Sequence, residues 1–205
     1  HMTLDVKSSF ELIPESGSAT TREVTTNLLL FPEDDFRQQI IEIEHEGKIQ
    51  NKKVTYKWKN PDSQEYDFGY SATVRTTNNR KKVKSKVIYP LEEISGYEQY
   101  TLPSSKIDSN NPAIVQKAAE LSEGKDDLFE VSFALASWVS QNIDYDLNEL
   151  TTDTAQKASW VLENRQGVCD EMTSLFVAMA RSLGIPARFV SGISYTESEQ
   201  VLDVL

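Results

Sequence analysis

The chain has 205 residues, 39% of them hydrophobic and 26% charged, with a net charge of −11, which is room for one large domain or two small ones. A mean hydropathy of −0.47 and the lack of any apolar run of roughly 18 residues exclude a transmembrane helix, and the acidic balance argues against nucleic acid as a partner. One cysteine, Cys169, and two histidines, His1 and His45, exclude an internal disulfide and a Cys/His zinc site; no EF-hand spacing is present, and no cofactor is expected.

His1-Met2 reads as a cloning remnant and is left out of the fold. From there the first half alternates with period two. Stretches 24–31 and 37–44 are rich in β-branched and large apolar residues. Val54, Tyr56 and Trp58 then face one way against Lys53, Thr55 and Lys57; Phe68, Tyr70, Ala72 and Val74 repeat the pattern, as do Val83, Ser85, Val87 and Tyr89. Alternation of this kind gives each strand one apolar and one solvated face. Turn signals at Pro32-Glu33-Asp34-Asp35, Glu46-Gly47, Asn60-Pro61-Asp62-Ser63 and Asn78-Asn79 separate the segments. The pattern predicts an antiparallel β-sandwich over 3–100. Within it, Lys82, Lys84 and Lys86 fall on one strand face and read as a solvated or protected edge.

A linker is expected over 101–110, and a helical unit over 111–205. The charge changes with it: residues 1–108 hold 15 Lys/Arg against 17 Asp/Glu, whereas residues 109–205 hold 6 against 15. Asn111 caps a helix with Pro112 at its first position. Asp127 opens a longer one through Leu128, Val131, Leu135 and Trp138. A short third helix is predicted over 154–163, and a fourth from Cys169 along a stripe of Met172, Phe176, Met179 and Leu183, stopped by Gly184. A buried strand is predicted over 187–195, with Arg188 at its start seeking a carboxylate.

Chemistry concentrates at Gly167-Val168-Cys169-Asp170-Glu171. A cysteine in the first turn of a helix meets free backbone N–H groups and the positive end of the helix dipole, which favour the thiolate. The same N–H groups can donate to an oxyanion during acyl transfer. Asp170 and Glu171 push the thiol pKa the other way, so an adjacent imidazolium is wanted. A buried structural cysteine is the plainer alternative.

Gly167-Val-Cys-Asp-Glu, followed by Leu175-Phe-Val-Ala-Met-Ala-Arg-Ser-Leu-Gly-Ile-Pro-Ala-Arg-Phe-Val-Ser-Gly, resembles the core motif of the transglutaminase-like superfamily of papain-like cysteine enzymes. Upstream, Ile107-Asp108, Asn111-Pro-Ala-Ile and Trp138-Val-Ser-Gln-Asn-Ile-Asp-Tyr resemble the helices that precede the nucleophile in microbial members. The resemblance implies an α+β chain: an immunoglobulin-like sandwich, then the helical half of a papain-like core. It implies cysteine-dependent acyl transfer at an amide bond through a thioacyl enzyme on Cys169, as a peptidase, amidase or cross-linking enzyme. A protein or peptide is the implied substrate. Gln156, Trp160 and Gly167 are the candidates for oxyanion or supporting roles. The alternative is a binding or scaffold module with a degenerate core.

The histidine and aspartate of such enzymes lie on strands after the cysteine helix. No histidine follows His45, and Asp203 sits in a stretch without the motif. Truncation before those strands is favoured over their loss, and the chain is expected to be catalytically silent as it stands. A sandwich ahead of such a core resembles extracytoplasmic proteins tethered to a membrane.

Overall fold

The computed structural model describes residues 1–205 apart from 14–15, 18, 31, 36, 78–81, 147–154 and 193–205. The chain divides into two compact units, His1–Lys81 and Lys82–Leu205. The division falls ahead of the 101–110 segment.

Six strands build the first unit: β1 (Met2–Glu11), β2 (Glu23–Leu29), β3 (Gln38–His45), β4 (Lys48–Gln50), β5 (Lys53–Lys59) and β6 (Glu65–Thr76). They form two antiparallel three-stranded sheets, ordered β1-β6-β3 and β2-β5-β4. Register follows the apolar alternation. Leu4 and Val6 sit opposite Ala72 and Tyr70, and Val24 and Leu28 sit opposite Trp58 and Val54. A two-residue turn joins β4 to β5, with Asn51 and Lys52 both at positive φ (49° and 60°), the backbone twist that a tight hairpin favours.

Val54, Tyr56, Tyr70, Ala72 and Val74 form the buried core, with Val6, Leu28, Ile43, Trp58 and Phe68 packed around it. Two tyrosines cross between the sheets in opposite directions. Tyr56 on β5 donates its hydroxyl to the Gly69 carbonyl of β6 (2.5 Å), and Tyr70 on β6 donates to the Leu29 carbonyl of β2 (3.0 Å).

Two strand expectations need correcting. Met2, left out of the fold above, is the first residue of β1, in which Leu4, Val6 and Phe10 complete an alternating edge strand beside β6. Residues 83–89 form no strand. Their one ladder contact is an isolated bridge from Ile88 to Asp127, and they belong to the second unit. Among the described residues, alternation there finds no neighbouring strand to complete a ladder, and Val83, Val87 and Ile88 stay exposed.

The second unit holds α1 (Pro112–Ser122), α2 (Leu128–Asn142), α3 (Ala158–Asn164) and α4 (Cys169–Ser182), with a 3-10 turn at Glu98–Thr101 and two short strands, β7 (Asp144–Tyr145) and β8 (Gln166–Gly167). Asn111 caps α1 through its side chain to Ala113 N (2.9 Å), and Asp127 caps α2 through Phe129 N (3.0 Å). Each cap satisfies a backbone donor that a helix start leaves free. Ile114, Val131, Leu135, Val161, Leu175 and Met179 are fully buried, and full burial of one such side chain contributes about 1.5–3 kcal/mol.

Helix α4 packs against the other three. Its fully buried positions are Leu175, Ala178 and Met179, while Met172, Phe176 and Leu183 of the expected stripe are only partly buried at the margin of the core. Gly184, at φ 72°, follows as predicted. Residues 187–192 are not a strand. Ala187 N–H bonds to the carbonyl of Tyr100 (3.0 Å), at the 3-10 turn, so no ladder propagates from it. Arg188 is exposed and has no ion pair among the described residues; Arg181 instead holds this segment, donating to the carbonyls of Ala187 (2.8 Å) and Leu102 (2.6 Å). Residues 193–195 of the predicted strand, and Asp203, lie outside the described residues.

Candidate active site

Cys169 is the first residue of α4, after the N-cap Val168, and it is exposed. The start of α4 is fixed by Glu171, a carboxylate only 3% exposed. Its Oε2 accepts from the Val168 N–H (3.1 Å), and its Oε1 accepts from the Gln156 N–H (3.2 Å). The first bond is the reach of an N3 glutamate back to the N-cap. The second ties a residue fifteen positions earlier to the same helix start. Glu171 is therefore occupied with backbone donors, and Asp170 is the carboxylate that meets the sulfur, with Cys169 Sγ donating to Asp170 Oδ1 (3.5 Å).

Gly167 is buried on β8. A methyl group there would come within 2.7 Å of Glu171 Cβ, so the close approach of strand to helix leaves room for glycine alone. β8 pairs in parallel with β7, Tyr145 opposite Gly167. Asp144 N–H donates to Arg165 O (2.8 Å) and Asp146 N–H to Gly167 O (3.3 Å). This ladder brings Tyr145 to the segment that leads into the cysteine. Burial raises the Cys169 pKa above the ordinary thiol value, and the Asp170 charge and hydrogen bond raise it further.

Trp160 is a half-buried side chain of α3 packed against the helical core, and its carbonyl accepts from Asn164 Nδ2 (2.9 Å). Gln156 is linked to the site through its backbone N–H. The Asp108 carboxylate accepts from Ser159 N (3.1 Å), and Lys106 O accepts from Ala158 N (2.9 Å), so the start of α3 is pinned to the segment before α1. His45 closes β3 in the first unit, exposed, with Nδ1 2.7 Å from Gly47 O. Among the described residues no group of three or more His, Cys, Asp or Glu could hold a metal ion, and no helix is long and apolar enough to cross a membrane.

Sequence reasoning placed Glu171 beside the thiol as a charge and missed its bracing of the helix start, and it missed the place of Tyr145 on the strand beside Gly167. Glu171 carried a signal, its N3 position, but Asp170 shares the same acidic pair and only the fold separates their tasks. Tyr145 sits 24 residues before the cysteine, and a two-residue parallel ladder leaves no periodicity to read.

Comparison with known proteins bears on this site. Residues 115–204 match the family model of the transglutaminase-like superfamily core. The uncharacterized protein YebA of Bacillus subtilis (strain 168) is 27% identical over 139 residues, covering 62% of this chain and 19% of YebA; the chain thus spans about a fifth of that relative. A solved structure, described as that of a candidate cysteine protease from Cytophaga hutchinsonii, superposes with a TM-score of 0.58 at 16% identity, covering 90% of this chain and 67% of that one. The fold is shared at that distance, and the match to the transglutaminase-like superfamily model spans the helices around Cys169.

Proposed function

We propose that the chain carries the nucleophile of a cysteine-dependent acyl-transfer enzyme acting on amide bonds of a protein or peptide. The observation that carries this reading is the exposed Cys169 at the first position of α4, next to backbone N–H groups that the helix leaves free. In this reading the Cys169 thiolate attacks the amide carbonyl carbon and the C–N bond breaks. The departing nitrogen takes a proton as the amine, and the acyl group stays on sulfur as a thioester. Water, or a second amine, then attacks the thioester and restores the thiol, giving hydrolysis or cross-linking respectively.

Gly167 and Gln156 act as supports: one lets β8 approach α4, and the other is held to the helix start through Glu171. Trp160 acts by packing. The side chain hydrogen-bonded to the sulfur is that of Asp170, which is no imidazole, so turnover at neutral pH needs a base from another group. Asp170 against the sulfur is the one observation favouring the alternative, a scaffold with a degenerate core.

The test is stoichiometric acylation of the native chain by an activated ester at about pH 9, read by mass spectrometry of the intact protein and its peptides. One acyl group on Cys169, absent in Cys169→Ala, is expected. Acylation that appears only after unfolding overturns the reading.

A further inference from the structure

We propose that the outer edge of β1 is an interface for a second copy of this chain, the two β1 strands pairing antiparallel about a two-fold axis at Val6.

The sheet is ordered β1-β6-β3, and among the described residues no strand lies beyond β1. Its ten residues pair with β6 one for one, without a bulge and without proline. A row of unpaired N–H and C=O groups on such an edge is a template for another strand, and native edges are ordinarily short, bulged or charged against it. Two of the other edges carry those devices. β4 has three residues, and β3 shifts register between Ile40 and Glu42. β2 is unbulged as well, but its only charge, Glu23, is already paired with Lys57, so it has nothing with which to select a partner.

Backbone direction fixes which groups β1 offers. A Cβ on Gly69 of β6 would come within 2.2 Å of the Val6 carbonyl oxygen, so Val6 turns its peptide groups towards β6. Successive residues of a strand face opposite neighbours, and Thr3, Asp5, Lys7 and Ser9 therefore present theirs outwards. About a two-fold at Val6, Asp5 meets Lys7 of the copy, Lys7 meets its Asp5, and Thr3 meets its Ser9. Each of these residues donates and accepts one backbone hydrogen bond in the joined ladder.

Both charges sit on the exposed face of the strand, and neither has an ion pair among the described residues. A two-fold interface requires this self-complementarity, in which one residue contacts a second and the second contacts the first. An axis at Asp5 or at Lys7 sets like charges opposite each other, which is destabilising. An axis between two residues sets the apolar face of one strand beside the polar face of the other. On the inner face Leu4, Val6 and Phe10 are only partly buried, whereas Tyr70, Ala72 and Val74 of β6 are buried. Pairing brings Val6 against Val6 of the copy and covers that edge.

Sedimentation velocity of the whole chain, over a concentration series rising to millimolar, reads the association. The parent chain is expected to show a reversible monomer–dimer equilibrium. Asp5→Lys or Lys7→Asp alone turns both charge pairs into like pairs and should weaken dimerisation at least about tenfold. An equimolar mixture of the two variants restores opposite charges in both pairs and should associate as the parent does, which also shows that each variant is folded. A parent chain that stays monomeric throughout overturns the proposal. So does a dimer that the single variants leave unchanged, or a mixture that fails to associate.

Discussion

The two units place their polar side chains in different service. In the sandwich, the hydroxyls of Tyr56 and Tyr70 span the gap between sheets and end on backbone carbonyls. In the helical unit, side-chain oxygens of Asn111, Asp127, Asp108 and Glu171 end on backbone N–H groups, at helix starts or the loops leading into them. A sheet pair has its backbone donors satisfied along the ladders, so its cross-braces seek acceptors. A helix start has free donors, so its braces must be acceptors themselves. The proposed acyl transfer would use the second arrangement, because free N–H groups at one helix start are what an oxyanion requires.

The sharpest way to break this comparison is at Glu171. Replacing it with Leu removes the acceptor for two backbone N–H groups beside a buried position, and each stranded donor costs about 1–3 kcal/mol. We expect Glu171→Leu to destabilise the helical unit by about 3 kcal/mol. Glu171→Gln, which keeps one carbonyl oxygen, should cost roughly half that. Chemical denaturation followed by tryptophan fluorescence reads both, with Trp138 and Trp160 reporting the helical unit and Trp58 the sandwich. A transition that moves only for Trp58 would contradict the assignment.

A smaller effect is expected in the sandwich. Tyr56→Phe and Tyr70→Phe each remove one hydroxyl and keep the ring, at about 1 kcal/mol each. The pH dependence sharpens the point. Burial raises the Tyr56 pKa above its ordinary 10.0, so the folded sandwich holds that proton more tightly than the unfolded chain. The stabilisation is fully present below the unfolded value and is lost as pH rises through the folded one. Melting of the sandwich should therefore weaken above about pH 10, and Tyr56→Phe should flatten that decline. An identical alkaline profile in the variant would show that the proton is not at Tyr56.

The smallest effect belongs to Lys86 and Asp126. Their ion pair is solvent-exposed, and although the Lys86 pKa is raised and that of Asp126 lowered by their hydrogen bond, exposed pairs of this kind add little. Lys86→Ala should leave the melting temperature unchanged, and a clear drop would mean that residues 83–89 are anchored to α2 by this contact.

Local chemistry made much of this legible. The caps Asn111 and Asp127, the αL stop at Gly184 and the cysteine opening α4 all follow from residues within one or two turns. Strands β5 and β6 were readable because each buries a full apolar face. The run Val83–Tyr89 has the same alternation and forms no strand, since alternation reports a face and says nothing of whether a neighbouring strand exists to pair with it. The links from Glu171 to Gln156 and from Tyr145 to the Cys169 neighbourhood escaped for a related reason. Both join segments more than a dozen residues apart through single contacts, which repeat nowhere along the chain.

The two-residue ladder between β7 and β8 makes one further measurement possible. Asp144 and Asp146 donate their amides to the carbonyls of Arg165 and Gly167, on the segment between α3 and α4, although neither belongs to either helix. Their hydrogen-exchange rates therefore depend on whether the end of α2 and the start of α4 are docked. Slow exchange at these two amides would serve as a gauge of the assembled site, readable in protein that has never met a substrate, and it would separate variants that disturb the chemistry of the sulfur from those that loosen the ground beneath it.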